Sequence, residues 1–276
     1  MSVFAAGVLS ADIVEPAGSL QWTQLSTPVT IGAGQETISG VNAYWNNTTF
    51  DYDGECANIG CFLTKSGAFV SSPLGDNSPN LSNPVYLEQS GGGQPVDFYF
   101  NAPPFENPVT LLLEIAGLNG VNWFGWYDAS KNVADLTDDD WETIFVGGDS
   151  QVTPKTFTPT TNFGFWFVAN NQNPIVSPMT TAKLQSSGFF TESSQNAYDN
   201  DRQHFALFAR SAVAANALPA EFWMGIEDLT DGDTDNDYND MVIKFTVVPE
   251  PGYYALLGIG LAGLAYARRR HRVSSK

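Results

Sequence analysis

The segment that most directly predicts the fold reads Met241-Val242-Ile243-Lys244-Phe245-Thr246-Val247. Its odd-numbered residues are apolar, whereas Lys244 and Thr246 on the alternate positions are polar, and this period of two is typical of a strand with one buried face. Comparable short runs, rich in Val, Phe, Thr, Tyr and Trp and separated by Gly, Pro, Asn and Asp, recur along the chain. The sequence therefore predicts an all-β body, a β-sandwich of the jelly-roll-like kind.

The other predicted strands share the same composition and turn-rich spacing. In chain order they are Ser19–Leu25, Val41–Trp45, Cys61–Thr64, Asp97–Phe100, Thr110–Ile115, Trp123–Tyr127, Thr143–Val146, Phe163–Ala169, His204–Phe208 and Phe222–Ile226. The segment Ser211–Leu218 is expected to form a single short helix.

An acidic segment lies directly before the Met241–Val247 strand. It reads Glu227-Asp228-Leu229-Thr230-Asp231-Gly232-Asp233-Thr234-Asp235-Asn236-Asp237-Tyr238-Asn239-Asp240. Its seven carboxylates would repel one another in a folded loop unless a cation offsets their charge, and clusters of oxygen ligands suit Ca²⁺. The spacing is not that of an EF-hand, because Asn236 and Val242 stand where that loop has Gly and Glu.

We therefore expect a Ca²⁺ site built from both ends of this segment. The candidate ligands are Glu227, Asp228, Asp233, Asp235, Asp237, Asn239 and Asp240. The alternative is a solvated acidic turn, in which Asp and Asn side chains accept hydrogen bonds from nearby backbone N–H groups.

The C-terminal residues 249–276 form three successive zones. Pro249-Glu250-Pro251 is expected to be extended, because each proline fixes its own φ and disfavours helix in the residue before it. Residues 252–267 carry no charge and are predicted to form a transmembrane helix, slightly shorter than a bilayer core of about 30 Å. A basic stop at residues 268–272, with Arg268, Arg269 and Arg270 at its start, would keep that end cytoplasmic and place the body outside.

These three zones resemble a PEP-CTERM sorting signal. The resemblance implies that the chain is a substrate of exosortase, a membrane protease-transferase of bacteria that produce exopolysaccharide. It also implies cleavage near Pro249-Glu250-Pro251 and transfer of the body to the cell surface or biofilm matrix. An ordinary single-span tail anchor is the alternative.

The acidic segment carries a second resemblance. Glu227 and Asp228, together with Asp237-Tyr238-Asn239-Asp240 before a strand, are similar to the D-Y-N-D signature of a domain of uncharacterised function. That domain is often seen on proteins with a PEP-CTERM tail. The resemblance gives no activity or ligand.

Net charge excludes one class of function. The chain of 276 residues has a formal net charge of −18, and five of its twelve Lys and Arg residues follow residue 267. All thirty Asp and Glu residues precede residue 251, so that part of the chain carries seven positive side chains against thirty negative ones. Such a surface repels nucleic acids and attracts cations.

The N-terminal residues 1–11 are interpreted as the end of a signal peptide. Val3–Leu9 is apolar, and Leu9-Ser10-Ala11 resembles the end of a secretory signal, although no Lys or Arg precedes Lys65. We expect the start of this signal upstream, and the alternative is a disordered mature N-terminus. The chain then divides into residues 1–11, a body at 12–248 and a sorting tail at 249–276.

The two cysteines, Cys56 and Cys61, are close in sequence. In an exported protein such a pair predicts a local disulfide. Two ligands with no nearby histidine would make a poor zinc site.

Enzymatic signatures are scarce. The body has one histidine, His204, and the sequence contains no Gly-x-Ser-x-Gly, H-E-x-x-H or phosphate-cradling loop. We therefore expect a non-enzymatic, exported cell-surface or biofilm-matrix protein with a Ca²⁺-stabilised acidic loop. The seven tryptophans suggest an exopolysaccharide-binding, lectin-like module as an alternative, although most are expected to be core residues. A polysaccharide hydrolase that uses two carboxylates is a second alternative.

Overall fold

The computed structural model describes fourteen segments of the chain. They are residues 13–16, 18–25, 58–64, 78–89, 96–101, 107–114, 122–146, 153–169, 179–196, 199–217, 219–228, 237–248, 258–264 and 268. The predicted strand at Val41–Trp45 and the predicted signal-peptide end lie outside these residues.

The first sheet contains six short antiparallel strands. In chain order they are β1 (Val14–Glu15), β4 (Tyr99–Phe100), β6 (Trp123–Asp128), β7 (Trp141–Val146), β9 (Phe163–Val168) and β10 (Phe189–Phe190). Their spatial order is β1-β4-β9-β6-β7, with β10 also paired to β9.

The second sheet contains seven antiparallel strands. In chain order they are β2 (Leu20–Gln24), β3 (Val85–Gln89), β5 (Asn107–Glu114), β8 (Lys155–Phe157), β11 (Phe205–Ala209), β12 (Ala220–Ile226) and β13 (Met241–Val247). Their spatial order is β2-β3-β11-β12-β13-β5-β8. The segment Met241–Val247 therefore lies near the centre of this sheet, between β12 and β5.

One apolar core joins the two sheets. It contains inward-facing residues of both, including Phe124 and Phe165 of the first sheet and Phe222 and Phe245 of the second. The rings of Phe165 and Phe245 meet edge to face across the core, with centroids 4.9 Å apart. The all-β prediction is confirmed, because alternating side chains of each sheet fill this shared layer.

The described residues of the body form three short α-helices, α1 (Ile59–Thr64), α2 (Thr181–Ser187) and α3 (Ala212–Ala215). Of these, α1 and α2 cover the outer faces of the sheets, whereas Ala215 of α3 belongs to the core between the sheets. α1 packs Ile59 and Phe62 into a cluster with Trp223 and Val242 on the outer face of the second sheet. On the first sheet, Leu184 of α2 joins a cluster that includes Trp123, Tyr127 and Trp166.

One predicted strand was wrong. Cys61–Thr64 belongs to α1, in which every residue from Ile59 to Leu63 is buried. Short apolar runs do not distinguish a buried strand from a buried turn of helix, because both lack a polar face. The helix begins where the Asn58 side-chain oxygen accepts a hydrogen bond from the Cys61 N–H at 3.1 Å.

The tail is described only at residues 258–264 and Arg268, which are helical and exposed. Within the described parts of the chain, no helix is long and apolar enough to cross a membrane.

Candidate functional site

Three acidic side chains converge where β12 ends and β13 begins. The two strands pair up to Ile226 opposite Met241, so the residues just beyond this pair are held at one end of the sheet. Carboxylate oxygens of Glu227, Asp228 and Asp240 lie within 4.8 Å of one another. Glu227 and Asp228 are buried and Asp240 is half-buried. These three residues form the carboxylate cluster.

A backbone hydrogen bond closes the cluster. The N–H of Asp228 donates to Oδ2 of Asp240 at 2.8 Å, which fixes the Asp240 carboxylate against the end of β12. Charges this close disfavour the fully ionised state in the absence of compensation. Oxygen ligands from two adjacent strand ends are of the type that Ca²⁺ uses in proteins.

The other predicted ligands fall into two groups. Asp237 and Asn239 are buried beside the cluster, where Oδ1 of Asp237 accepts a hydrogen bond from the Asn239 N–H at 3.1 Å. That bond is the local Asx turn expected of an acidic turn. Asp233 and Asp235 lie outside the described residues. The structure thus brings Glu227, Asp228 and Asp240 together and places the turn directly before them.

Tyr238 fixes the direction in which this turn enters β13. Its φ is +56°, a left-handed value that non-glycine residues rarely adopt. The ring is buried, and its hydroxyl donates to the backbone oxygen of Gln203 at 3.0 Å. Burial raises the pKa of Tyr238, so the hydroxyl remains a donor. Packing of the ring therefore holds a backbone conformation that would otherwise cost energy.

Gly225 makes room for the same turn. A Cβ at this position would lie 2.4 Å from the Tyr238 carbonyl oxygen and 3.0 Å from Cγ1 of Ile59. The backbone of β12 can therefore approach the turn and α1 only because residue 225 lacks a side chain.

A buried histidine lies behind the cluster. His204 Nδ1 is 3.0 Å from the Glu227 carbonyl oxygen, and Nε2 is 2.8 Å from Oδ2 of Asp199. The ring stacks on Phe189 with centroids 3.5 Å apart. Burial lowers the pKa of His204, and its hydrogen bond to Asp199 acts in the opposite direction. His204 is fully buried, as expected of a packed histidine.

Gln203 connects the two sheets next to this histidine. Its Nε2 donates to the carbonyl oxygens of Val96 at 3.0 Å and Thr191 at 2.9 Å. Its Oε1 accepts from the Phe205 N–H, which opens β11. One side chain therefore satisfies backbone groups of three segments around the site.

The turn is also tied to α1. The N–H of Ile59, the first residue of that helix, donates to the Asp237 carbonyl oxygen at 3.0 Å. Cys61, two residues further on, is disulfide-bonded. Cys56, the only other cysteine in the sequence, lies outside the described residues.

Arg202 also acts electrostatically on this end of the molecule. Burial raises the pKa of Tyr238 and lowers the pKa of His204, and the positive charge of Arg202 opposes the first shift and adds to the second.

Sequence reasoning missed Asp199, Gln203 and Ile59 as neighbours of the acidic segment. All three are distant from it in sequence, and their contacts depend on strand pairing and on the position of α1. Gly225 was a detectable signal, since a glycine inside a predicted strand indicates close approach of another backbone.

The tryptophans are mostly interior. Of the six in the described parts of the chain, Trp123, Trp126, Trp166 and Trp223 are buried, whereas Trp22 and Trp141 are half-buried. Within the sorting tail, Arg268 is exposed, and Pro249, Glu250, Pro251, Arg269 and Arg270 lie outside the described residues.

Comparison with protein families identifies two parts of the chain. Residues 157–247 match a domain of unknown function, DUF4114, and residues 247–270 match the PEP-CTERM protein-sorting motif. The DUF4114 match includes the strands β9 to β13 and the carboxylate cluster between β12 and β13. No curated protein and no solved structure matches the chain significantly. Both family resemblances are confirmed: the tail carries a match to the PEP-CTERM sorting motif, which supports export and processing by an exosortase-type enzyme, and this motif follows a match to DUF4114.

Proposed function

We propose that this protein is a non-enzymatic component of the cell surface or biofilm matrix whose DUF4114 domain is stabilised by Ca²⁺. The observation that carries the proposal is the convergence of Glu227, Asp228 and Asp240 within 4.8 Å at one end of the second sheet. The PEP-CTERM motif supports delivery of this domain to the outside of the cell.

Electrostatics favours a divalent cation at the carboxylate cluster. At a separation of about 4–5 Å, two unit charges repel by several kcal/mol when they lie near a protein surface, with an effective dielectric of about 20. The cluster places three carboxylates together at this end of the fold. A Ca²⁺ ion would supply two positive charges and would accept oxygen ligands in a flexible geometry. Asp237 and Asn239, which directly precede Asp240 in the sequence, are the further oxygen ligands that we propose from the turn.

Tail processing forms part of the same proposal. We propose that residues 252–267 span the membrane during transit, that cleavage occurs near Pro249-Glu250-Pro251, and that Arg268, Arg269 and Arg270 remain at the cytoplasmic end. The uncharged sequence followed by arginines supports this orientation. We further propose that the sheets have jelly-roll-like connectivity, since the neighbours β3 and β11 are far apart in sequence.

Two observations weigh against the alternative functions. A lectin-like site would require exposed aromatic rings, and four of the six described tryptophans are buried. Among these six tryptophans, Trp22 and Trp141 are half-buried and therefore partly available for sugar binding. A glycoside hydrolase requires carboxylates that can reach a glycosidic bond, whereas Glu227 and Asp228 are buried.

The calcium proposal is tested by thermal unfolding of the full-length chain in detergent, after chelation and after addition of Ca²⁺. At a Ca²⁺ concentration of about 100 times Kd, binding adds about 2.7 kcal/mol, which corresponds to roughly 5–10 °C in Tm for a domain of this size. Asp228→Asn with Asp240→Asn should abolish that shift. The matched control is Asp135→Asn with Asp139→Asn, which removes two exposed charges elsewhere and should retain it.

The direction in which Tm changes on substitution and on addition of Ca²⁺ distinguishes a cation site from a solvated acidic turn. Without Ca²⁺, the Asp228→Asn, Asp240→Asn variant should be at least as stable as the parent, because repulsion within the cluster is relieved. A parent protein with the same Tm in chelator and in millimolar Ca²⁺ would refute the metal proposal and favour the solvated turn.

Sorting is tested by fusing residues 249–276 to an inert secreted reporter in a host with an exosortase. The reporter should appear at the cell surface without the tail. Replacement of Pro249, Glu250 and Pro251 by alanine should leave the reporter uncut and membrane-associated. Retention of an uncut, unaltered parent fusion in the cytoplasm would contradict this account.

A further inference from the structure

We propose that the Cys61 disulfide and the carboxylate cluster are thermodynamically coupled, so that an intact disulfide strengthens Ca²⁺ binding and bound Ca²⁺ protects the disulfide from reduction. This inference rests on the proposed Ca²⁺ site. It concerns the regulation of that site and identifies α1 as the element that joins the two.

The coupling begins with Asp237, which is hydrogen-bonded both to α1 and within the acidic turn. Its side-chain Oδ1 accepts from the Asn239 N–H and shapes the turn that delivers Asp240 to the cluster. Its backbone oxygen accepts from the Ile59 N–H at 3.0 Å. A displacement of α1 therefore acts directly on the residue that positions the turn.

Helix α1 contains the other end of the connection. Ile59 lies between Cys56 and Cys61 in the sequence, and Cys61 is disulfide-bonded. The Cys61 N–H donates to Oδ1 of Asn58, the residue that immediately precedes Ile59. A crosslink at Cys61 thus restrains the same short helix whose first N–H reaches the acidic turn.

Tight packing transmits a change at α1 to the turn. Ile59, Cys61 and Tyr238 are members of one buried cluster on the outer face of the second sheet. A Cβ at Gly225 would collide with the Tyr238 carbonyl oxygen and meet Ile59, which shows how closely β12, the turn and α1 approach. Close-packed interiors transmit displacements because they contain little free space.

The redox step is an exchange with a dithiol. The dithiol transfers two hydrogens to the two sulfur atoms of the Cys61 disulfide and becomes a cyclic disulfide, while the protein disulfide opens to two thiols. By linkage, the factor by which reduction weakens Ca²⁺ binding equals the factor by which saturating Ca²⁺ disfavours reduction.

The test measures the Ca²⁺ dissociation constant of the full-length chain by calorimetry, before and after reduction by dithiothreitol. We expect reduction to raise Kd roughly three- to tenfold, the range that corresponds to loss of about one hydrogen bond. Saturating Ca²⁺ should raise the ratio of reduced to oxidised dithiothreitol needed for half-reduction by the same factor. Equal Kd values in the two redox states would overturn the coupling but leave the Ca²⁺ site standing. Absence of Ca²⁺ binding to the oxidised chain would overturn both.

A second variant tests the connection without reduction. Ile59→Pro removes the N–H that Asp237 accepts, at a first helical position where proline is tolerated. Ile59→Val keeps the N–H and most of the packing, and serves as the control. With the disulfide intact, Ile59→Pro should raise the Ca²⁺ Kd roughly three- to tenfold, and Ile59→Val should change it less than twofold. An Ile59→Pro protein with the parent Kd would overturn the proposed route through α1.

Discussion

The hydroxyl of Tyr127 donates to Oε2 of Glu192 at 2.7 Å, joining a fully buried ring of β6 to the chain that follows β10. Burial raises the pKa of Glu192, and the hydrogen bond from Tyr127 partly opposes that rise. A carboxyl group whose pKa is raised by folding binds its proton more tightly in the folded state. The free energy of unfolding should therefore fall as pH rises from the ordinary pKa of Glu192 to its raised value.

Glu192→Gln should remove this pH dependence. Glutamine can still accept from Tyr127, so at pH 7 the variant should equal or exceed the parent in stability, by less than about 1 kcal/mol after solvent screening. Its advantage should shrink as pH falls to 4, where the parent carboxyl is protonated. Tyr127→Phe removes the hydrogen bond that opposes the rise in the pKa of Glu192. In this variant the free energy of unfolding should therefore fall more steeply with pH than in the parent. Chemical unfolding at several pH values measures the free energy of unfolding of both proteins. If this free energy changes with pH in the same way for Glu192→Gln and the parent, Glu192 is not the source of the pH dependence.

The contribution of Asp140 to the free energy of unfolding should depend on pH in the opposite direction. The hydrogen bond from Lys131, followed by those from the Thr137 side chain and backbone, lowers the pKa of Asp140 to about 2. Its stabilising effect should be complete above pH 4 and disappear as pH falls through about 2. Asp140→Asn should cost about 1 kcal/mol at pH 7, because charge-assisted hydrogen bonds are lost from a site that solvent partly screens.

Unfolding of Asp140→Asn in urea at pH 7 and at pH 2.5 measures this effect. The difference from the parent should be largest at pH 7 and become small at pH 2.5. Asp139→Asn changes an exposed neighbour and should alter stability by less than about 0.5 kcal/mol. A deficit of Asp140→Asn that does not change with pH would mean that packing, not charge, explains the loss.

Strand alternation made most of the body predictable. Met241–Val247 was predicted with its observed bounds, and the aromatic segments at β6 and β9 alternate between the inner core and the outer cluster as their sequences indicate. The missed strand Val85–Gln89 carries Glu88, a charged residue that patterns assign to solvent. In the structure Glu88 is buried and accepts hydrogen bonds from Gln21, Thr23 and Tyr86. Gln21 and Thr23 reach it because β2 pairs with β3, whereas Tyr86 lies two residues away in β3 itself.

Only the acidic segment of the candidate site could be predicted from the sequence. Seven acids in one segment predicted a cluster, but which carboxylates converge depends on the pairing of Ile226 with Met241. Among the described residues of the segment, that pairing brings Glu227, Asp228 and Asp240 together. The contributions of Gln203, His204 and Ile59 come from segments that fold against the turn, and no local pattern encodes such long-range contacts.

Gln203 should be one of the most sensitive polar residues of the body. Gln203→Leu keeps the approximate volume but leaves the carbonyl oxygens of Val96 and Thr191 and the Phe205 N–H without this partner. Loss of partners for buried polar groups predicts a cost of about 2–4 kcal/mol. Gln24→Leu, at an exposed position of the edge strand β2, should cost less than about 0.5 kcal/mol. Equal denaturant midpoints for the two variants would show that Gln203 does not hold the sheets together.

Gly225 provides the most direct test of the close approach between β12 and the acidic turn. Gly225→Ala would place a Cβ 2.4 Å from the Tyr238 carbonyl oxygen, a backbone atom that cannot rotate away. The turn would have to shift, so we expect a loss of about 1–3 kcal/mol, typical of overpacking, together with weaker Ca²⁺ binding if the cluster holds the ion. Gly263→Ala is the matched control, because no atom lies within 4 Å of its added Cβ.

Thermal unfolding and Ca²⁺ titration of both variants separate the loss of stability from the loss of Ca²⁺ binding. A Gly225→Ala protein with unchanged Tm would show that the turn can move away from β12 without loss. The turn at Asp237 and Tyr238 would then not be rigid.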